Sequence, residues 1–377
     1  MATNYHWKVG FDSANGEQKI SAIKYKLDGT PGKRKDIRFP SVRSQVSVGS
    51  LGIAAAGETT FDYWQWHDIK YTVGDTALEH ARGTVMSVSG RSRYGGEAQL
   101  MMIAVGLHMI GVKDGDTVDL CVLAPPADAN KITGAKYREG LERFGHKLTI
   151  AKNGKKEVTF NITNVTVFAE TVAASIACQY DDAGQLQRKN PMVNSLMLID
   201  GGRVTLDRLI FRNGKIDKTS IASATNDRLG ISNMVLMPAG EWIRANLPSV
   251  YHDGAEELAD RALRSPQRNS TGDPVYRIHR NGEPPRNITS PIVQSIANYH
   301  SAVRQFVDQE RTRSNVMRCL LFGGIEPLIG NRLRNDFGAN LEFISLKDYP
   351  HLKNVEPNQI NAVGALRWLV KKALVTQ

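Results

Sequence analysis

Asp12, Gly16 and Lys19 lie in "VGFDSANGEQKI" (residues 9–20), an apolar run that ends in an aspartate, passes through small and polar residues, and resumes after a lysine. Two chemistries suit such a turn. A strand, an Asx/Gly turn and a second strand make an ordinary hairpin. The same residue types can also wrap a polyphosphate: exposed backbone N–H groups and a lysine meet phosphate oxygens, while the aspartate addresses a metal through water. The spacing is not that of G-x-x-x-x-G-K-[ST], and that motif occurs nowhere in the chain, so a phosphate site here belongs to another architecture.

The pattern recurs in "MLIDGGRVTLD" (residues 197–207), which again runs strand, aspartate, small-residue turn, strand. Counting each aspartate as the first, the eighth residue is charged in both: Lys19 in the first copy and Asp207 in the second. Such repetition is the mark of a duplicated domain with a cleft between its halves, and a ligand held by both turns would sit in that cleft.

The elements that must position these turns follow from periodicity. Strand-like runs occupy "YHWKVGFD", "QKISAIKYKL" and "IRFPSV". A helix follows over "GEAQLMMIAVGLHMIGV", with Leu100, Ile103, Ala104 and Leu107 at helical spacing. Then come the strand "TVDLCVLAPP", a helix around "ANKITGAKYREGLERFG", a hairpin turning at Asn153-Gly154, and "NVTVFAETVAASIACQY", a strand leading into a helix. Glu170 opens that last helix, where an acid either complements the helix dipole or faces a ligand. After Pro191 the pattern restarts with "SLMLIDGG" and "RVTLDRLIFRNG". Helix and loop fill roughly 226–318, including a Pro/Gly/Asn-rich stretch, Ser265 to Pro291, to which no role is assigned and which contains the hairpin candidate "YRIHRNGEPPRNIT". The chain continues as strand, glycine turn and helix in "VMRCLLFGGIEPLIGNRLRNDFG", a strand "LEFISL", and a final helix "NQINAVGALRWLVKKALV". Strands first, then alternating strands and helices, predict a mixed sheet with covering helices.

At 377 residues, with 41% hydrophobic and 23% charged residues, the chain suits two domains or one two-lobed unit of ordinary globular composition. Its longest apolar runs are too short and interrupted for a membrane span, and "MATNYHWKVG" lacks the apolar region of a signal peptide, which points to the cytoplasm. Cys121, Cys178 and Cys319 sit far apart in apolar contexts and are expected as buried thiols; no histidine or cysteine spacing implies a protein-ligated transition metal. The net charge of +10 gathers at Lys33 to Lys35, at Arg261 to Arg286 and at Arg311 to Arg318, each either a solvated face or a contact for DNA or another polyanion.

Five motifs in order resemble those of the actin-like ATPase superfamily, and the chain is most similar to bacterial and archaeal ParM-type filament proteins that segregate plasmids. "GFDSANGEQK" resembles their first phosphate loop, "VFAETVAAS" the first connecting helix with its catalytic acid, "LIDGGRVTLD" the second phosphate loop, and "LLFGGIEPLIGNRL" the adenosine motif, while "NAVGALRWL" resembles their terminal helix. "SRYGGEAQLMMIAVGL" and "LCVLAPPADANKITGAKYREGL" resemble the segments between. The resemblance implies an α/β, actin-like fold of two duplicated ribonuclease-H-like domains facing a nucleotide cleft: residues 1–190 completed by the C-terminal helix (355–377), and residues 191–354.

It also implies roles. Asp12 and Asp200 would orient magnesium-bound waters; Ser13, Ala14, Asn15 and Gly16 would donate amides, and Lys19 would place a point charge on the phosphates. Gly202, Arg203 and Thr205 would surround the γ-phosphate, Gly323 and Gly324 would let the adenosine lie against backbone, and Glu170 would orient and partly deprotonate the attacking water. Ala14 departs from the glycine of relatives and requires a negative φ; "DGGRVTLD" departs from D-I-G-G-G-T-T-D and could shift the second turn by a residue. The cofactors implied are ATP or GTP with Mg2+. The implied function is a polymerising ATPase whose partners are other copies of itself and, through a DNA-binding adaptor, plasmid DNA. The alternatives are a non-polymerising ATPase of the same superfamily, such as a small-molecule kinase or regulator, and a membrane-associated cytoskeletal protein. The final helix has Leu366, Leu369, Val370, Ala373 and Leu374 on one face, a pattern that suits either a membrane interface or a helix docked on its own core; its resemblance to the family's terminal helix implies docking.

Overall fold

The opening run folds as β1 (His6–Ser13) and returns as β2 (Glu17–Tyr25), followed by β3 (Lys35–Pro40). The computed structural model describes residues 4–46, 61–80, 85–88, 93–223, 225–280 and 283–375. The next described elements are β4 (Val42–Gln45), β5 (Trp64–Trp66), β6 (Ile69–Val73), α1 (Asp75–His80) and β7 (Met86–Ser87). Then α2 (Glu97–Ile110), β8 (Thr117–Ala124), α3 (Lys131–Glu142), β9 (Lys147–Lys152) and β10 (Val158–Ala169) lead straight into α4 (Glu170–Gln179). The strands make one sheet in the order β3-β2-β1-β8-β10-β9-β5-β6-β4-β7, in which β1, β8 and β10 run parallel.

The second half begins with β11 (Leu196–Gly201), β12 (Leu206–Arg212), β13 (Lys215–Ile216) and β14 (Thr225–Asn226). Helices α5 (Met237–Asn246) and α6 (Ala255–Arg264) precede two small hairpins, β15 (Gln267–Arg268) with β16 (Pro274–Val275) and β17 (Arg277–Ile278) with β18 (Arg286–Asn287). The 26-residue α7 (Thr289–Ser314), β19 (Arg318–Gly323), α8 (Glu326–Phe337), β20 (Glu342–Phe343) and α9 (Ile360–Val375) complete it. Its sheet order is β13-β12-β11-β19-β20, with β14 on β12. Each half thus holds a three-strand antiparallel meander whose first strand also pairs with the next of two parallel strands, β3-β2-β1-β8-β10 in one and β13-β12-β11-β19-β20 in the other. The duplication expected from the two turns is a duplication of topology.

Glycines let the last helix lie close against the first half. A Cβ on Gly10 would fall 2.1 Å from the Ala362 carbonyl oxygen, and one on Gly364 1.8 Å from that of Ala173, so α9 lies backbone to backbone against β1 and α4. Leu366, Leu369 and Val370 are buried there, whereas Leu374 and Val375 past the contact are exposed. The final helix therefore docks on its own core. All three cysteines are free and buried.

Local expectations met competing constraints. "IRFPSV" divides between β3 and β4, and "LEFISL" gives only the two residues of β20 before a 3-10 turn, because its apolar side chains fill the core from a loop. The helix α2 is buried all round from Gln99 to Leu107, since strands β2, β3, β9 and β10 of the main sheet and the helix α3 all contact it, so its apolar pattern is broader than one face. Asn153-Gly154 does turn a hairpin, both residues having positive φ. Strands β5 to β7 and the hairpin β15–β16 have no strong sequence signal, being two or three residues long apart from β6.

Candidate active site

The two repeated turns share a register. In the first hairpin Asp12 pairs with Lys19 across the ladder; in the second Asp200 pairs with Asp207. Both aspartates end the central strand of their half, where the chain leaves the sheet. Lys19 Nζ lies 3.2 Å from Asp12 Oδ2, and both side chains are buried. Burial presses the ammonium of Lys19 down, but Asp12, Asp200 and Glu17 outweigh it and hold the lysine above its usual range. Lys19 thus feels carboxylates from both halves.

The carboxylates form one electrostatic group. Burial raises Asp200 to about 7, with Lys19 opposing and Asp12 and Asp207 adding to the shift, while Asn361 of α9 donates to its Oδ2 at 2.5 Å. Asp207 is raised by burial and restrained by hydroxyls of Thr225 and Thr205, the latter at 2.8 Å. Glu170, the first residue of α4, is raised well above its usual range by burial and then by Asp12, Asp207 and Asp200. A surface acid serving only the helix dipole would be ionised more easily, not less. Glu170 is instead turned into a cluster of like charges, the environment in which a carboxyl holds protons tightly.

The glycines divide by what crowds them. A Cβ on Gly323, whose φ is +81°, would sit 2.3 Å from Asp200 Oδ1, and one on Gly201 would sit 2.3 Å from the Ile325 side chain. The start of α8 is therefore packed directly under the second turn, and Gly324 adjoins Ile231. Gly16 faces the opposite turn: a Cβ there would lie 3.0 Å from Arg203 Cδ. Ala14 is absent from the residues with positive φ, so the condition its substitution for glycine imposed is met. In the second turn the strand runs to Gly201, the Gly202 amide donates to Thr205 O at 2.9 Å, and Arg203 reaches outward to Asp260 and Glu257 at 3.3 and 3.5 Å.

Asp12, Ser13, Lys19, Glu170, Asp200 and Asp207 are thus gathered at the ends of the central strands, with Gly16 against Arg203 and Gly323 against Asp200. Arg203 is the sequence candidate whose side chain is directed elsewhere. Four residues join the site that the sequence did not single out. Arg93 donates to Asn15 Oδ1, Gln99 Nε2 donates to Ser13 Oγ at 2.7 Å, Asn361 holds Asp200, and Arg264 of α6 donates to Gly16 O at 2.7 Å. The only sequence signals were a polar residue in an apolar helix, for Gln99 and Asn361, and the quoted "SRYGGEAQ" segment for Arg93. Arg264 had none beyond its charge. Buried polar atoms without a partner include Asp12 Oδ1, Gln99 Oε1, Thr171 Oγ1 and Asn361 Oδ1. Such atoms are costly without a hydrogen-bonding ligand, and these sit on residues in or beside the carboxylate group.

A large mixed sheet, a second sheet of the same topology and two facing aspartate turns define the actin-like fold. Solved structures agree: an archaeal actin homolog, Ta0583, in complex with ADP superposes with a TM-score of 0.61 at 17% identity, covering 98% of this chain and 99% of that one. Bacillus thuringiensis ParM with ATP gives 0.61 at 16%, covering 99% and 100%, and apo pSK41 ParM gives 0.61 at 11%, covering all of both chains. This chain is similar to ParM in fold, and its structural neighbours include proteins solved with ADP, ATP and AMPPNP. No family profile and no curated protein sequence matches it. Among the described residues, no helix is long and apolar enough to cross a membrane.

Proposed function

We propose that this chain hydrolyses ATP or GTP in the cleft between its two turns and couples that hydrolysis to the assembly of dynamic filaments. The observation that carries the proposal is the placement of Glu170 among Asp12, Asp200 and Asp207, beside a buried lysine. Residues 1–190 with 355–377 form one domain and residues 191–354 the other; the packing of α9 on β1 and α4 supports that division.

The residues fit magnesium held through water. Among the described residues no three His, Cys, Asp or Glu side chains are grouped as direct ligands, while Asp12 and Asp200 approach Lys19 from opposite halves and Asp12 Oδ1 has no partner. Magnesium bound with the nucleotide supplies positive charge to the phosphate tail. The protein does the rest. Asp12 and Asp200 orient the bound waters, Lys19 faces the β- and γ-phosphates, and the amides of Ser13, Ala14, Asn15 and Gly16 surround the tail. In the second turn the backbone of Arg203 and of Thr205 closes round the γ-phosphate while the Arg203 side chain stays on Asp260 and Glu257, and the Gly202 amide exchanges its Thr205 carbonyl for a phosphate oxygen. Gly323 and Gly324 would present backbone to the adenosine. Glu170 orients the attacking water and takes its proton; the new oxygen bond to γ-phosphorus forms as the bond to the β–γ bridging oxygen breaks, and that electron pair leaves with the diphosphate.

Nucleotide binding closes the cleft and favours the polymerising shape, and hydrolysis weakens subunit contacts. The similarity to ParM supports a role in moving plasmid DNA through a DNA-bound adaptor in the cytoplasm. Light scattering with pelleting in Mg2+ plus ATP, GTP or ADP, on wild type and Glu170→Ala, tests the reading. Polymer should form with a triphosphate, decay as phosphate is released, and persist in the variant. Turnover with no polymer at any protein concentration would instead indicate a small-molecule kinase or regulator.

A further inference from the structure

One short segment holds the first turn from outside. Arg93 donates to Asn15 Oδ1 at the tip of the turn, and Gln99 donates to Ser13 Oγ at its start, 2.7 Å away. The segment is packed closely at Gly95. A Cβ on Gly95, whose φ is +67°, would fall 2.0 Å from Lys136 O, and one on Gly140 would fall 2.3 Å from Gly95 O, so α3 packs backbone to backbone against it. The Arg93 side chain lies over the Tyr94 ring at 4.9 Å, the residue is 6% exposed, and its charge bears on both Glu170 and Tyr137.

This placement answers a charge problem in the site. Asp12, Glu170, Asp200 and Asp207 are four carboxylates, and an incoming triphosphate adds more negative charge, while Lys19 is already engaged by Asp12. Phosphoryl transfer spreads charge over the equatorial oxygens and the bridging oxygen, so a fixed cation at the reacting end is worth more than one at the diphosphate end. A guanidinium has the right shape for that position, because its planar fork can keep one N–H on Asn15 and present other N–H groups to phosphate oxygens.

We propose that Arg93 is a catalytic residue of the hydrolysis: its guanidinium meets the γ-phosphate between Asn15 and Glu170 and stabilises the charge on the transferring group. The inference rests on the nucleotide-hydrolase reading of the cleft. Glu170 receives the proton of the attacking water, the phosphoryl group passes from the diphosphate to that water, and Arg93 gains and loses no proton.

The test compares wild type, Arg93→Gln, Arg93→Lys, Arg93→Ala and Glu170→Ala by single-turnover phosphate release and by equilibrium binding of ATP and ADP in Mg2+. Removing such an arginine should slow phosphate release by about a thousandfold. ATP binding should weaken by roughly tenfold and ADP binding should stay within about twofold, because only the triphosphate offers the γ-oxygens. Arg93→Lys should recover only part of the rate, since an ammonium keeps the charge and loses the fork. Free guanidinium ion added to Arg93→Ala should restore part of the release, a response that a purely structural role would not give.

Release from Arg93→Gln within about threefold of wild type would overturn the proposal, that ratio being under 1 kcal/mol in the barrier. So would equal losses of ATP and ADP binding with a lowered melting temperature, the outcome expected of a bracket for the turn alone. A wild type that binds ATP and releases no phosphate would overturn the hydrolase reading, and this inference with it.

Discussion

The two aspartate turns have the same register and opposite charge at the paired position. Asp12 faces Lys19; Asp200 faces Asp207. The first turn neutralises its own carboxylate with an ion pair at 3.2 Å. The second leaves two carboxylates on one ladder rung, steadied by Thr205, Thr225 and Asn361, and its opposite charge comes from Lys19 in the other half. Neither turn is electrostatically complete alone, so the site belongs to the pair. Their glycines differ as well: Gly201 is pinned under Ile325 at 2.3 Å, whereas the atoms nearest a Cβ on Gly16 belong to Arg203 and Arg264, at 3.0 to 3.3 Å.

Removing the lysine breaks this comparison most severely. Lys19→Met strips the cation from between Asp12 and Asp200, and breaking a buried pair typically costs about 3–5 kcal/mol. Nucleotide affinity should fall by at least about a hundredfold and the melting temperature by several degrees, read by fluorescent-ATP titration and calorimetry. Asp207→Asn, at the equivalent rung, should raise the melting temperature of the nucleotide-free protein near pH 8, because it removes a like charge.

Next in size is the glycine contrast. Gly201→Ala forces a methyl into Ile325 and should cost about 1–3 kcal/mol in urea unfolding. Gly16→Ala should cost less than Gly201→Ala, since its methyl would meet Arg203 Cδ and Cβ at 3.0 and 3.1 Å and Arg264 Nη2 at 3.3 Å, against 2.3 Å for Gly201 and Ile325. Equal costs would show that the first turn is as rigidly packed as the second.

The pH dependence distinguishes the turns more gently. An unfolded chain ionises Asp200 near 4, the folded chain near 7, so between these values the folded state holds the extra proton. Stability of the nucleotide-free protein should therefore fall as pH rises from about 4 to about 7, with Glu170 and Asp207, also raised, adding to the slope. Asp200→Asn should flatten that slope in urea melts taken at intervals across the range. The smallest effect is expected from Ala14→Gly. With φ already negative at Ala14, glycine relieves nothing and should lower stability by about 0.5–1 kcal/mol through the unfolded chain.

Much of this was legible in the sequence because it is local. A strand ending in aspartate, a small-residue turn and a charged residue in register can be read from residue types, and the motif was visible twice. The helix starting at Glu170 and the buried cysteines followed from apolar patterning in the same way, whereas the docking of the last helix followed from its resemblance to the family's terminal helix. What stayed hidden depends on which distant segments meet. Arg93, Gln99, Asn361 and Arg264 reach the turns from the α2 start, α9 and α6, and nothing in their immediate neighbours marks them. The direction of Arg203, outward to Asp260 and Glu257, is likewise set by α6 and not by the turn. Short strands such as β5 and β7 escaped because two or three residues carry no periodicity.

The central claim is that the two turns jointly hold a polyphosphate tail, and calorimetric titration of wild type with ATP and with AMP in Mg2+ tests it most directly. The account predicts saturable binding of one ATP per chain and AMP binding weaker by at least about a hundredfold, the loss of the charge-assisted phosphate contacts. Equal affinity for AMP and ATP, or no saturable ATP binding at millimolar concentration, would contradict it.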